Sequence, residues 1–244
     1  MTMKKHNVIF DIGANDGLDG LGLALINPKY YIYAFEANPE MLLKITKNKK
    51  IIENYFQIKI SNYEIINKAV ADYNGNSNFN ISQYDLCSSL LPYKFVETKK
   101  KISCEVITLE KFCLDRKIDN IIHIHVDTQG SDLSVLKGLF SYRKNVHSGV
   151  METMIDVKDV LYEGGSTYKD VKLYFKEWNF NIFKTEFNNF DKKEINVYFL
   201  NTLIYKKNII TFKKLKKRFL YRVIKDKSNL KDYMYMLYLK MFRI

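Results

Sequence analysis

Short apolar runs separated by amphipathic stretches predict a sheet of parallel strands connected by helices. The first run, residues 8–10, breaks at Asp11 and a glycine-containing turn, as is typical of a buried parallel strand that leads into a helix. A second run, Tyr31–Phe35, ends on the carboxylate of Glu36. Together with the apolar stretch Leu18–Ile26, these runs predict a β-α-β unit with a ligand lying across the carboxyl ends of its strands.

The rest of the chain continues this alternation to about Tyr205. Further strands are predicted at residues 64–70, 77–81, 102–107, 120–127, 149–155, 181–185 and 195–205, and further helices after the caps Asn38 and Thr108, over residues 131–139 and over residues 168–178. This order predicts an α/β fold: a doubly wound, mostly parallel, seven-stranded Rossmann-like sheet, followed by a basic α-helical C-terminal tail.

The turn after the first strand differs from a dinucleotide-binding turn. Its frame reads Asp11-x-Gly13-x-Asn15-x-Gly17. A dinucleotide site needs G-x-G-x-x-G so that the backbone can approach a pyrophosphate, whereas Asn15 stands where a second such glycine would be. The frame suits a ligand with an amino group and a carboxylate, and Glu36 can accept hydrogen bonds from both hydroxyls of a ribose. S-adenosylmethionine has these groups and no phosphate; the rivals are a nicotinamide dinucleotide and a purely structural turn.

The order of the motifs resembles the FkbM-like family of class I S-adenosylmethionine-dependent methyltransferases, over about residues 8–205. The matching stretches are Phe10-Asp-Ile-Gly-Ala-Asn15, Ala34-Phe-Glu-Ala-Asn-Pro-Glu40, Lys68-Ala-Val-Ala-Asp72 with Gly75, Cys87-Ser-Ser-Leu90, Val106-Ile-Thr-Leu109, His125-Val-Asp-Thr-Gln-Gly-Ser-Asp-Leu133, Val135-Leu-Lys-Gly138 and Glu152. The resemblance implies O-methylation of hydroxyls, typically on sugars, glycolipids, polyketides or related metabolites. The chain departs from the family at His125, where lysine is usual, and at Asp132, where glutamate is usual.

The cofactor-binding residues expected from the turn and from the resemblance lie at the ends of four predicted strands. They are Asp11, Gly13, Asn15, Gly17, Glu36, Ala37, Ala71, Asp72 and Asp127. In this fold the loop that holds Ala71 and Asp72 usually meets the adenine.

The catalytic candidates follow from the chemistry of methyl transfer, which needs an aligned acceptor and a base for its hydroxyl proton. Asp127 is the first candidate because it ends the fourth core strand; its alternative roles are to cap the next helix or to hold the cofactor's amino group. His125 shares a strand face with Asp127, and a neutral imidazole there could take a proton near pH 7; its alternative is a buried histidine bound to backbone. Glu152 is a candidate to bind the acceptor hydroxyl. No metal is predicted, because His125, Asp127 and Glu152 lack metal-ligand spacing.

The positive charge is concentrated at the end of the chain. Residues 206–244 hold 13 lysines and arginines against two aspartates, a net +11 of the total +12. The sequence therefore predicts a near-neutral methyltransferase domain over residues 1–205 and a basic amphipathic tail over residues 206–244. Apolar residues recur in the tail at helical spacing at Phe212, Leu215, Phe219 and Val223.

The tail is expected either to dock on the domain or to bind an anionic membrane surface. Nucleic acid is a weaker expectation, because no RNA-binding aromatic pattern accompanies the charge. Sedimentation with anionic vesicles that weakens as salt rises would favour the membrane, and aggregation of a chain truncated at Tyr205 would favour docking.

Composition narrows the remaining possibilities. A 47% apolar content with 14% aromatic residues excludes a disordered chain, and three cysteines without metal-ligand spacing suggest reduced thiols. Without a signal-peptide pattern or an apolar run of about 18 residues, the expected location is cytoplasmic, or peripheral at a membrane. The expected acceptor is a hydroxyl of a glycan, glycolipid or small metabolite. The alternatives are an RNA methyltransferase and a non-catalytic binding module; the sequence carries no signal for an oligomeric state.

Overall fold

A seven-stranded sheet forms the centre of the protein in the computed structural model, which describes residues 7–84, 87–95, 97–188 and 193–204. The strands are β1 (Val8–Ile12), β2 (Tyr31–Phe35), β3 (Tyr63–Ile66), β4 (Ala69–Val70), β5 (Gly75–Ser82), β6 (Thr98–Ile107), β7 (Ile121–Val126), β8 (Ser148–Met154), β9 (Phe180–Phe187) and β10 (Glu194–Asn201). The helices are α1 (Leu18–Ile26), α2 (Pro39–Phe56), α3 (Leu109–Arg116), α4 (Asp132–Lys137) and α5 (Tyr168–Glu177), and 3-10 turns cover Phe140–Asn145 and Val157–Asp159.

The main sheet has the order β3-β2-β1-β7-β8-β10-β9. Its first five strands are mutually parallel, and β10 runs antiparallel to both of its neighbours. The predicted doubly wound, mostly parallel, seven-stranded fold is confirmed. Because the chain winds outward from β1 in one direction and from β7 in the other, the two strands mark the switch point where such sheets bind ligands at their carboxyl ends.

The prediction of one strand over residues 64–70 is wrong. The chain divides at Asn67, so that β3 joins the main sheet while β4 joins a separate three-stranded sheet of order β4-β6-β5. The Asn67 side-chain amide donates to the carbonyl of Glu36 at 3.0 Å, which ties the break to the end of β2. The small sheet is thereby placed beside the carboxyl edge of the main sheet.

Strand β1 is central and buried along its whole length. On one face Phe10, Phe35 and Phe112 pack with their rings edge to face, with centroids 4.9 to 5.9 Å apart, and each such pair adds about 0.5–1.5 kcal/mol beyond its burial. On the other face α1 lies close to the strand, because a Cβ on Gly20 would come within 2.4 Å of Asp11 Oδ2. The packing on both faces fixes where the turn after β1 emerges.

The predicted helix starts at Asn38 and Thr108 are confirmed. The Asn38 side chain accepts from Glu40 N at 3.0 Å, with Pro39 as the first helical residue, and the Thr108 hydroxyl accepts from Lys111 N at 3.2 Å. These caps satisfy N–H groups that a helix leaves unpaired. The three cysteines are free thiols.

The basic tail, residues 206–244, lies outside the described residues, so its helical structure, its separation from the domain and its docking or membrane contact stay predictions. Among the helices that the structure describes, none has the length and apolar character needed to cross a membrane.

Candidate active site

A cavity of about 660 Å³ opens at the carboxyl ends of β1, β2 and β7. The small sheet contributes Val70 and Phe79 to its wall, and the loops after β5 and β8 contribute Tyr93 and Tyr162. The two loops are held together by hydrogen bonds from Lys94 N to the Leu161 carbonyl at 2.8 Å and from Glu163 N to the Pro92 carbonyl at 2.9 Å. The cavity therefore extends from the switch point of the main sheet to a wall built by two paired loops.

The turn after β1 touches the end of β7 directly. Gly13 has φ +80, and a Cβ on it would lie 1.8 Å from the Asp127 carbonyl oxygen, so only glycine fits at this position. Gly13 N and Ala14 N donate to the Phe35 carbonyl at 3.0 and 2.9 Å. The turn thus joins the ends of three strands, and Gly13 and Asn15 both line the cavity.

Glu36 lies where β2 ends, and its carboxylate is largely buried. Its Oε2 accepts from Asn15 N and its Oε1 from Asn38 N, both at 2.8 Å. Because a carboxylate has about four lone-pair sites, each oxygen can still accept a ligand hydroxyl. Burial raises the pKa of the Glu36 carboxyl to about 7, against the opposing effect of the backbone N–H groups. Ala37 follows it in the cavity wall.

Asp11 and His125 form a pair beneath the turn. They are direct partners in the parallel ladder of β1 and β7, and Asp11 Oδ1 lies 2.8 Å from His125 Nδ1. Asp11 is 1% exposed, and its Oδ2 has no hydrogen-bond partner among the described residues. Since a carboxylate only accepts hydrogen bonds, it favours the imidazole tautomer with the proton on Nδ1. Both residues line the cavity.

Asp127 is held by a residue that the sequence reasoning did not select, Gln129. Gln129 Nε2 donates to Asp127 Oδ1 at 2.7 Å and to Glu152 Oε2 at 3.2 Å, and Gln129 Oε1 accepts from Tyr162 Oη at 2.7 Å. Asp127, Gln129 and Tyr162 line the cavity. Glu152 is only 2% exposed and lies behind that wall; a direct contact between Glu152 and an acceptor stays a prediction.

Two buried carboxyls next to Asp127 have raised pKa values. Burial, and then the negative charge of Asp127, raise the pKa of Glu152 to about 10, and the same two causes raise the pKa of Asp132 to about 7. Asp132 accepts from Thr128 N at 2.9 Å and from Gly130 N at 3.0 Å, so it closes the turn after β7. Glu152 therefore holds its proton at neutral pH and cannot act there as a base.

Three of the predicted cofactor residues lie outside the cavity wall. Gly17 begins α1 in a left-handed conformation, where a Cβ would meet the Ile45 side chain at 2.7 Å. The Ala71 carbonyl packs against Gly138, and Asp72 is exposed and accepts from the Ser134 hydroxyl at 2.7 Å. Their cofactor contacts stay predictions.

No group of three His, Cys, Asp or Glu side chains in the described part of the chain is arranged to hold a metal ion. A buried cluster of carboxyls surrounds Asp127, but its members are bound by amide and backbone N–H groups such as Gln129 Nε2 and Gly130 N. The chemistry that this arrangement supports is hydrogen bonding and proton transfer at the cavity wall.

The doubly wound sheet, together with an edge cavity between a glycine turn after β1 and an acid after β2, defines a class I methyltransferase-like fold. The chain belongs to the methyltransferase FkbM domain family, whose model matches residues 11–182. The predicted family is thus confirmed.

Two relatives illustrate the family. The 2-O-methyltransferase NoeI of Sinorhizobium fredii is 28% identical over an alignment of 149 residues that covers 55% of this chain and 58% of that protein. The structure of methyltransferase FkbM from Methylobacillus flagellatus KT aligns with a TM-score of 0.52 at 15% identity, over 80% of this chain and 44% of that chain. The chain therefore spans less than two thirds of the length of either relative.

S-adenosylmethionine is the cofactor expected for this family, and the residues present fit it. The turn at Gly13 and Asn15 lines the cavity, so its backbone can face a ligand. Glu36 retains acceptor sites for ribose hydroxyls, and its negative charge would oppose the additional phosphate of a phosphorylated dinucleotide. Gly13, Asn15 and Glu36 would hold the cofactor at the ends of β1 and β2.

Proposed function

We propose that this chain is an S-adenosylmethionine-dependent methyltransferase that methylates a hydroxyl of a glycan, glycolipid or related metabolite. The observation that carries the proposal is the continuity of the cavity, whose wall includes Gly13 and Glu36, the Asp127 carboxylate and the ring of Tyr162. One such cavity has room for a donor and an acceptor side by side, as an in-line transfer requires.

In the proposed reaction Asp127 accepts the proton of the acceptor hydroxyl as the oxygen bonds to the methyl carbon. Bound S-adenosylmethionine would supply that methyl already activated by its sulfonium, so the methyl–sulfur bond breaks and the thioether leaves neutral. The protein therefore has to align the acceptor oxygen, exclude water and receive one proton. His125, oriented by Asp11 at 2.8 Å, is the second candidate for the proton.

The aromatic part of the cavity wall supports a sugar-like acceptor. Tyr93 packs against Tyr162 and Phe95, with ring centroids 5.0 and 6.1 Å apart, and all three rings line the cavity. The C–H faces of a sugar ring can pack on aromatic rings while carboxylates accept from its hydroxyls. The name of NoeI, a 2-O-methyltransferase, supports oxygen as the acceptor atom.

Incubation of the full chain with radiolabelled S-adenosylmethionine and separate pools of glycolipid, soluble glycan, small metabolites and RNA tests this function. Label is expected in a glycan-containing pool, and its release by acid hydrolysis as an O-methyl sugar would identify the acceptor class. Label in RNA alone would replace the proposal by nucleic-acid methylation. Binding of the cofactor without transfer to any pool would favour a non-catalytic module.

The role proposed for Glu36 predicts a pH-dependent affinity for the cofactor product. Since the ionised carboxylate accepts hydroxyl hydrogen bonds and its pKa is raised to about 7, the affinity for S-adenosylhomocysteine should fall as the pH drops through that value. Glu36→Gln should weaken binding at least about 10-fold at alkaline pH, since one hydrogen bond to a charged group contributes about 1.5–3 kcal/mol. Isothermal titration calorimetry across this pH range, with NAD as the rival ligand, measures both effects.

The matched control is Glu40→Gln, an exposed position in the first turn of α2, which should bind like the wild type. Preferential binding of NAD would overturn the choice of cofactor, and unchanged affinity in Glu36→Gln at every pH would remove Glu36 from the cofactor site.

A further inference from the structure

The Gln129 side chain connects three groups that no other side chain joins among the described residues. Its nitrogen donates to carboxylates on two strands, Asp127 at the end of β7 and Glu152 on β8, at 2.7 and 3.2 Å. Its oxygen accepts from the Tyr162 hydroxyl at 2.7 Å. The contact with Asp127 fixes the orientation of the amide, because an ionised carboxylate cannot donate to an amide oxygen.

The backbone around Gln129 is shaped to present this amide to the cavity. Gln129 has φ 58 and Gly130 has φ 97, a left-handed pair that is uncommon at a non-glycine residue and costs about 1–2 kcal/mol. The Ser89 hydroxyl donates to the Gln129 carbonyl at 2.7 Å, and a Cβ on Gly130 would lie 2.7 Å from the Tyr162 Cβ. The turn is therefore fixed from the loops after β5 and β8, the two loops that contribute Tyr93 and Tyr162 to the cavity wall.

We propose that Gln129 is a positioning residue for methyl transfer, whose amide holds the Asp127 carboxylate in the orientation that receives the acceptor proton. This inference rests on the proposed function. Through the Tyr162 hydroxyl the same amide links the base to the aromatic wall of the acceptor site, so that acceptor and base share one hydrogen-bonded frame.

The charged and titratable groups around this amide come from every element packed against it. They are Asp127 and Asp132 from the turn after β7, Glu152 from β8, Tyr162 and Cys87 from the two loops, and Lys193 and Glu194 at the start of β10. The raised pKa of Glu152, about 10 because of burial and the charge of Asp127, keeps that side chain protonated near neutral pH. A neutral amide between the two carboxyls avoids placing a further negative charge in this group.

Gln129→Glu keeps the shape of the side chain but replaces its donor by an oxygen that donates only when protonated. We expect kcat at neutral pH to fall about 100-fold, the loss that a small misplacement of a reacting group can cause. The ratio of variant to wild-type activity should then rise as the pH is lowered, because a protonated glutamic acid can donate to Asp127 again. Gln129→Ala should lose activity at every pH, and Kd for S-adenosylhomocysteine should stay unchanged in both variants.

The matched control is Gln57→Glu, because Gln57 also has a left-handed backbone, φ 53, but ends α2 at the surface. It should behave as wild type. An equal, pH-independent loss in Gln129→Glu and Gln129→Ala, or a parallel loss of cofactor affinity, would reduce Gln129 to a residue that maintains the fold.

NMR spectra of isotope-labelled aspartate carboxyls in the full chain, recorded at one pH, separate this inference from the proposed function, since they need no acceptor. In Gln129→Ala the carboxyl signal of Asp127 should move from its wild-type position, because the carboxylate loses the Gln129 donor at 2.7 Å. An unmoved Asp127 signal overturns the inference even if methyl transfer is confirmed. A moved signal with no methyl acceptor found would instead retain the Gln129–Asp127 coupling and reject the proposed function.

Discussion

Replacing Asp127 by asparagine should lower kcat about 10²- to 10⁴-fold, the range associated with loss of a general base. In the wild-type chain Gln129 Nε2 lies 2.7 Å from Asp127 Oδ1. The substitution keeps the shape of the side chain, and the new amide oxygen can still accept this hydrogen bond. It removes only the ability to take a proton at that position. Affinity for S-adenosylhomocysteine should therefore stay within a few-fold of the wild type, and kcat with the identified acceptor and Kd by calorimetry measure the two effects.

Asp115→Asn is the matched control, because Asp115 lies exposed on α3 and pairs only with Lys111 in a surface ion pair that contributes about 0–1 kcal/mol. It should leave both constants unchanged. If Asp127→Asn retains turnover while His125→Gln loses it, the base is His125 and Asp11 its orienting partner. If both variants remain active, neither side chain is the base.

The elements that position Gly13 and Glu36 at the cavity could be predicted because each follows from a local sequence pattern. β1, α1 and β2 each follow from one uninterrupted pattern, and the Asn38 cap follows from a side chain that bonds two residues along the chain. Over residues 64–70 the local pattern predicts one strand, because it carries no information about the two sheets that this segment joins. There the apolar run continues through Asn67, and the break arises from a contact with Glu36, 31 residues earlier in the chain.

The part of the cavity wall around His125 and Asp127 depends on register and burial, which a single sequence does not reveal. Period two places His125 and Asp127 on one strand face, but the pairing of His125 with Asp11 requires the alignment of β7 against β1. Gln129 was overlooked because a glutamine before a glycine is an ordinary turn sequence, and nothing near Tyr162 marks it as a partner 33 residues away. The neutral state of Glu152 follows from its burial beside Asp127, which only the fold determines.

Gly13→Ala should be the most damaging small substitution in the domain. The new Cβ would lie 1.8 Å from the Asp127 carbonyl oxygen, on a backbone with φ +80. The left-handed conformation costs about 1–2 kcal/mol, and overpacking against fixed backbone adds about 1–3 kcal/mol, so the free energy of unfolding should fall by about 2–5 kcal/mol. Any relief of the clash must move either the turn, which is bonded to the Phe35 carbonyl, or the end of β7, where Asp127 N donates to the Ile12 carbonyl at 2.9 Å.

Gly164→Ala separates the two causes, because Gly164 has φ +75 but nothing within 4 Å of the added Cβ. It should lose only about 1–2 kcal/mol, the cost of the left-handed backbone alone. Urea unfolding measures the difference, and calorimetry on the folded fraction should show that Gly13→Ala, unlike Gly164→Ala, no longer binds S-adenosylhomocysteine. Because either movement changes the contact between the turn and the end of β7, cofactor affinity should be lost with it. Equal destabilisation of the two variants, with binding retained in both, would mean that the turn adapts without disturbing β7 and is not the close contact on which the cofactor site depends.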